Sequence, residues 1–81
     1  MALRLHVHYF ALLREQAGRG TEELESTTAN ALELYQELRW RRNLSLEPER
    51  LRVAINNEFS RWDSRLSDGD TVAFLPPVAG G

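Results

Sequence analysis

An α+β architecture, one main helix laid across a mixed sheet, follows from three features of the chain. Residues 3–10 alternate between two kinds of side chain with period two, the mark of a half-buried strand. Residues 29–41 repeat their apolar positions every three or four residues, as a helix covering a core does. Short alternating runs then return, separated by Asn, Asp and Gly turn signals. One long helix among several strands covers only one face of a sheet, which sets the class as α+β.

Taken in order, Leu3, Leu5, Val7 and Tyr9 alternate with Arg4, His6, His8 and Phe10 in the first strand. Residues 11–17 read as a short helical turn that ends at Gly18-Arg19-Gly20, because glycine closes helices in the left-handed conformation. Residues 21–27 form a weaker strand with Leu24 as its apolar anchor. Thr28 is the expected N-cap of a helix over residues 29–41. Ala31, Leu34 and Leu38 share one side of that helix, Tyr35 and Leu32 widen the stripe, and Glu33, Glu37 and Arg41 fall opposite. Arg39, Arg41 and Arg42 stand near its C-terminal end, where positive charge complements the helix dipole. That role, not nucleic-acid contact, is the reading for Arg39-Trp40-Arg41-Arg42.

Residues 43–49 make a loop punctuated by Pro48. Leu51, Val53 and Ile55 alternate with Arg52, Ala54 and Asn56 as a third strand. Asn56-Asn57-Glu58 is a turn, since Asn tolerates positive φ, and residues 59–62 are the returning strand. Ser67-Asp68-Gly69-Asp70 is a further turn, and residues 71–75 form the last strand, ended by Pro76. The order β–β–α–β–β–β around one helix is that of the β-grasp, or ubiquitin-like, fold. The domain is expected over residues 1–76, with residues 77–81 as a tail.

The alternation also sorts side chains. Leu5, Val7, Tyr9, Val53, Ile55, Val72 and Phe74 are expected to face the helix, leaving Phe10 and Leu75 on the other side, with Phe59 placed to join them. Those three would make an exposed apolar patch beside the base of the tail, and such patches mark partner surfaces.

Composition narrows the chemistry. A formal net charge of −2 opposes nucleic-acid or anionic-membrane binding, which needs a basic excess. Every basic residue is Arg and none is Lys, so the chain offers no side-chain amine for a Schiff base or for a ubiquitin-type chain. With no Cys, any sulfur chemistry uses sulfur from elsewhere. The opening Met1-Ala2-Leu3-Arg4-Leu5-His6 is too polar for a signal-peptide core, no run is long enough to span a bilayer, and the expected placement is cytoplasmic. His6 and His8 share a strand face, but a two-ligand set does not complete a structural metal site. Asp68 and Asp70 flank a turn glycine and read as turn carboxylates; Glu22, Glu23 and Glu25 read as a solvated strand. No phosphate loop or dinucleotide fingerprint is present, and an autonomous enzyme is not expected.

The remaining reactive group is the carboxylate expected at Gly81. The segment Phe74-Leu75-Pro76-Pro77-Val78-Ala79-Gly80-Gly81 runs from a strand through a stiff Pro-Pro pair to two residues without a Cβ. Such a tail suits entry into a narrow channel. A free carboxylate resists nucleophiles; joined to AMP as a mixed anhydride it becomes a good acyl donor, and an incoming sulfur would leave a thiocarboxylate.

Tyr9-Phe10-Ala11 with Leu13-Arg14-Glu15, Ala54-Ile55-Asn56, and Leu66-Ser67-Asp68-Gly69-Asp70 leading to Val72-Ala73-Phe74-Leu75-Pro76-Pro77-Val78-Ala79-Gly80-Gly81 together resemble the small, sulfur-carrying subunits of molybdopterin synthase. The resemblance implies adenylation of Gly81 with ATP by a ubiquitin-activating-like adenylyltransferase, then conversion to a thiocarboxylate by a sulfur donor protein. It implies a tail of Pro76, Pro77, Val78, Ala79 and Gly80 entering the large subunit, where sulfur passes to cyclic pyranopterin monophosphate to build the molybdopterin dithiolene. It implies docking through Phe10, Phe59 and Leu75, no permanently bound cofactor, and an assembly of two large and two small subunits. The same terminal chemistry serves thiamine-thiazole sulfur carriers, which are typically shorter and lack the Pro-Pro-Val approach, and ubiquitin-like modifiers joined to target lysines. An interaction module with an inert tail is the remaining alternative.

Overall fold

A computed structural model describes residues 2–77. Its five strands form one sheet in the order β2-β1-β5-β3-β4, where β1 is Leu3–Tyr9, β2 is Thr21–Ser26, β3 is Arg52–Ile55, β4 is Glu58–Ser60 and β5 is Thr71–Leu75. The central pair β1 and β5 is parallel, with Val7 opposite Val72 and Tyr9 opposite Phe74. The other three pairings are antiparallel. The main helix α2, Ala31–Arg42, lies on one face, and a short helix α1, Leu12–Ala17, joins β1 to β2. This is the β-grasp arrangement expected from the sequence.

The core sits between the sheet and α2. Leu5, Val7, Tyr9, Val53, Val72 and Phe74 point from the strands at Ala31, Leu34, Tyr35 and Leu38 of the helix, and all are buried. Ile55 is half-buried against the same cluster. Tyr35 meets Phe74 at a tilted 5.0 Å between ring centroids. Trp62 stacks on Phe74 at 6.0 Å, closing the end of the core below β4. Both tyrosines keep a polar tip satisfied: Tyr9 donates to the Glu22 carboxylate at 2.7 Å and Tyr35 to the Leu46 carbonyl at 2.7 Å. Burial, which disfavours a phenolate, pushes both phenols above their ordinary pKa, although Arg42 opposes the effect at Tyr9 and Arg39 at Tyr35. Glu22 is held in turn by Arg42 and Arg19, which staples β2 to the end of α2.

Several boundaries differ from the sequence reading. The N-cap of α2 is Asn30, not Thr28: Asn30 Oδ1 accepts the Glu33 N–H at 2.9 Å, and Glu33 returns its carboxylate to the Ala29 N–H at 3.0 Å. This reciprocal pair is a capping box. Thr28 is engaged instead with the Ser26 hydroxyl. The helix start is fixed from a distance, since the Ala31 and Leu32 N–H groups donate to the carbonyls of Ser64 and Trp62. Its end is Asn43, in the left-handed region at φ 56°. Leu32 is partly exposed, not core. The returning strand is Glu58–Ser60 and stops before Trp62, because Trp62 is drawn inward onto Phe74 and Tyr35. Leu51 precedes β3 yet is buried, following a 3-10 turn at Pro48–Arg50.

The turns are as expected. Asn56 and Asn57 both have positive φ, 52° and 69°, as a two-residue hairpin loop of the type I′ class requires. The 67–70 turn is clamped onto β1 by Asp68 accepting the Arg4 N–H and Gly69 donating to the Arg4 carbonyl. Asp70 caps the Ser67 N–H and accepts from the Asn56 amide, so both turn carboxylates hold structure.

Candidate functional site

The register places a row of small and aromatic side chains on the sheet face opposite α2. His8 stands opposite Ala73, Ala73 opposite Ala54, and Ala54 opposite Phe59. All four have the strand parity that points away from the core. In the next row Leu75 of β5 stands opposite Arg52 of β3, and Phe10 follows Tyr9, the partner of Phe74. Phe59 is 69% exposed and Phe10 42%, large values for aromatic side chains; Leu75 is half-buried. Three strand spacings separate the β1 and β4 lines, so His8 and Phe59 stand about 14 Å apart across the sheet, with Phe10 a row further along. Ala73 and Ala54 between His8 and Phe59 leave a shallow floor, and the apolar surface is therefore a saddle with an aromatic group at each side rather than a single cluster.

Local structure sets each side chain. Phe10 opens a four-residue turn in which the Leu13 N–H donates to the Phe10 carbonyl at 3.1 Å. Ala11 occupies its second position at φ 52°, ψ −127°, the geometry of a type II′ turn that glycine usually fills. That turn ends β1 sharply and leaves Phe10 outside. His8 stacks on Phe10 with centroids 6.4 Å apart. Phe59 is presented by the tight Asn56-Asn57 hairpin, and the Arg52 guanidinium lies 5.3 Å from its ring centroid, within cation–π range. Glu49, Arg50, Leu51, Arg52, Phe59, Leu75, Pro76 and Pro77 line a groove of about 530 Å³ at the point where the chain leaves β5.

Of the residues singled out in the sequence, Phe10, Phe59 and Leu75 thus share the open face, and Pro76 and Pro77 continue from it along the groove. Val78, Ala79, Gly80 and Gly81 lie outside the described residues. His6 belongs to the same strand face but is turned to Glu23, at 3.3 Å, while His8 is taken up by Phe10. The sequence reading missed His8, Arg52, Ala54 and Ala73. Strand alternation marks each as outward-facing, but their meeting depends on which residue of β5 lies beside which residue of β1 and β3.

The face around Phe10 and Phe59 is hydrocarbon, the His8 imidazole and the Arg52 guanidinium. Such a surface makes contacts, and Pro76 and Pro77 carry the chain away from it. Among the described residues no cluster of three His, Cys, Asp or Glu converges as a metal set, and no helix is long and apolar enough to cross a membrane.

Residues 7–81 match the ThiS family. The molybdopterin synthase sulfur carrier subunit of Escherichia coli (strain K12) is 39% identical to this chain over 82 aligned positions, spanning 95% of this chain and 99% of that protein. Among solved structures, a putative molybdopterin converting factor subunit 1 from Pyrococcus furiosus superposes with a TM-score of 0.77 at 30% identity, over 94% of this chain and 99% of the other. A chain in the complex of subunits 1 and 2 of the molybdopterin-converting factor from Helicobacter pylori superposes with a TM-score of 0.66 at 25% identity, over 98% and 100%. The chain, a ubiquitin-like β-grasp domain by structure, belongs to the ThiS family.

Proposed function

We propose that this protein is the sulfur carrier subunit of a molybdopterin synthase and that its working atom is the carbonyl carbon of Gly81. The observation that carries the proposal is the near-full-length similarity to a protein of that name, 39% identical, in a chain whose Pro76-Pro77 pair leaves the sheet beside an exposed apolar face.

The chemistry proceeds in balanced steps. A Gly81 carboxylate oxygen attacks the α-phosphorus of ATP within an adenylyltransferase, and pyrophosphate departs. Hydrosulfide released by a donor protein then attacks the carbonyl, the bond to the AMP oxygen breaks so that AMP departs, and the acyl group loses a proton to stand as a thiocarboxylate. In the large subunit the thiocarboxylate sulfur bonds to a carbon of cyclic pyranopterin monophosphate and displaces an oxygen from it, and water then cleaves the carbonyl–sulfur bond, leaving sulfur on the acceptor and a carboxylate on Gly81. A dithiolene contains two sulfurs and each carrier brings one, so spent carrier must leave. A saddle with two aromatic anchors and an alanine floor suits an interface that holds and then releases, since a few anchors carry most binding energy at small interfaces. In this reading the protein is a cytoplasmic, non-catalytic subunit with no resident cofactor, working in an assembly of two large and two small subunits.

Incubation with the adenylyltransferase, ATP and sulfide, followed by intact-mass measurement, tests the proposal. Exchange of one oxygen for one sulfur, lost when Gly81 is deleted, is the expected result. Transfer of that sulfur to the pyranopterin acceptor in the presence of the large subunit completes it. Covalent adducts on lysines of other proteins, without sulfur incorporation, would replace this reading with that of a protein modifier.

A further inference from the structure

We infer that Arg50 and Arg52 form the polar end of the docking face and receive a carboxylate, an Asp or Glu side chain, from the partner protein that takes the tail. The inference rests on the docking reading above and adds to it the chemistry of the contact.

Six of the ten arginines, Arg4, Arg19, Arg39, Arg41, Arg42 and Arg61, have a carboxylate partner within the chain. Arg50 and Arg52 have none among the described residues, although Glu49 lines the same groove. Both are exposed, and both stand where the tail leaves the sheet. Arg52 is also held in place: its backbone pairs with Leu75 and its guanidinium packs over Phe59. A guanidinium placed over a ring in this way still has five N–H donors, more than the ring can engage, and its fork binds carboxylates with two parallel hydrogen bonds. Holding the fork in one direction before binding reduces the entropy lost when the contact forms.

Charge supplies the complementarity. The chain carries a net −2, so an acidic partner is repelled in general and attracted only where uncompensated guanidinium groups gather. An arginine pair at one end of an apolar saddle thereby orients the encounter, bringing the base of the tail to the mouth of the partner's channel. Opposite charges placed in this way act on approach and register.

The test measures binding of the full chain to the molybdopterin synthase large subunit at low and high salt, for the wild type, Arg52→Lys, the double variant R50E/R52E, Phe59→Asp, and Arg65→Glu as an unpaired arginine off the face. Circular dichroism checks that each variant is folded. The expected result is a loss of about tenfold or more for R50E/R52E at low salt, a shallower salt dependence, and an intermediate loss for Arg52→Lys, which keeps charge without the fork. Arg65→Glu should bind as the wild type does. Binding of R50E/R52E within about twofold of wild type, while Phe59→Asp weakens it, overturns the inference and leaves the apolar docking face intact. If Phe59→Asp also binds normally, the face is not the interface and the inference falls with it. Sulfur loading of Gly81, read separately by mass, reports on the proposed function in either case. A concentration-dependent dimer of this chain that R50E/R52E abolishes would assign the arginines to a second copy and likewise overturn the inference.

Discussion

Raising the pH above 10 should destabilise this protein through its two tyrosines, and the composition makes the effect unusually clean. Lysine and cysteine are absent, and arginine keeps its proton past pH 12. Tyr9 and Tyr35 are therefore the side chains that titrate between pH 9 and 11. Both are buried, 1% and 0% exposed, and burial raises both above the ordinary value of 10.0. The sign follows: the folded state holds these protons more tightly than the unfolded state. Their contribution to stability is complete below pH 10 and is lost as pH rises beyond it. A tyrosine freed by unfolding can draw at most about 0.4 kcal/mol at pH 10 and about 1.4 kcal/mol at pH 11, limits set by a folded phenol that keeps its proton throughout. Two tyrosines thus remove at most about 2.8 kcal/mol by pH 11, a sizeable share of the stability of a small domain. Urea unfolding followed by Trp fluorescence from pH 8 to 11 measures the slope, and tyrosinate absorbance should appear at a higher pH in the folded than in the urea-unfolded chain. Tyr9→Phe and Tyr35→Phe should each remove about half of the alkaline slope. Tyrosinate absorbance rising near pH 10 with the native fold intact would refute the reasoning.

Two further outcomes follow from the site. Ala11→Gly should stabilise the protein by up to about 1 kcal/mol in thermal or urea unfolding, because the type II′ position disfavours a Cβ; destabilisation would show that the Ala11 methyl makes a contact worth more than the strain. Phe10→Asp and Phe59→Asp should weaken binding to the large subunit at least about tenfold while shifting stability by less than about 0.5 kcal/mol. A matching loss of stability would place those rings in the core.

How much of this was legible in the sequence varies with the range of the interaction responsible. Period-two alternation in residues 3–9 and 71–75 and helical spacing from Ala31 to Leu38 are local, and they placed the core side chains before any strand was paired. Asn56-Asn57 is equally local, since a two-residue hairpin needs positive φ. The start of α2 was misread because Thr28 and Asn30 are both good caps, and the choice between them is made by the carbonyls of Trp62 and Ser64, more than thirty residues away. Trp62 was assigned to a strand for the same reason: its pull toward Phe74 is a tertiary contact. The face shows the division most clearly. Parity alone puts Phe10 and Leu75 on the outer face and the position of Phe59 after the Asn56-Asn57 turn lets it join them, whereas Arg52 reaches Leu75 only through the antiparallel register of β3 and β5.

The guanidinium groups at the base of the tail have a chemical consequence beyond attraction. An acyl adenylate is attacked by any neutral amine it meets, and lysine supplies one in proportion to its unprotonated fraction, whereas a guanidinium protonated past pH 12 does not. Under the proposed chemistry, Arg50 and Arg52 provide positive charge on a carrier with an activated terminus and add no nucleophilic nitrogen that could capture it. Aminolysis by the carrier's own side chains, which would seal the tail as a lactam or weld two carriers together, is closed off by the choice of cation.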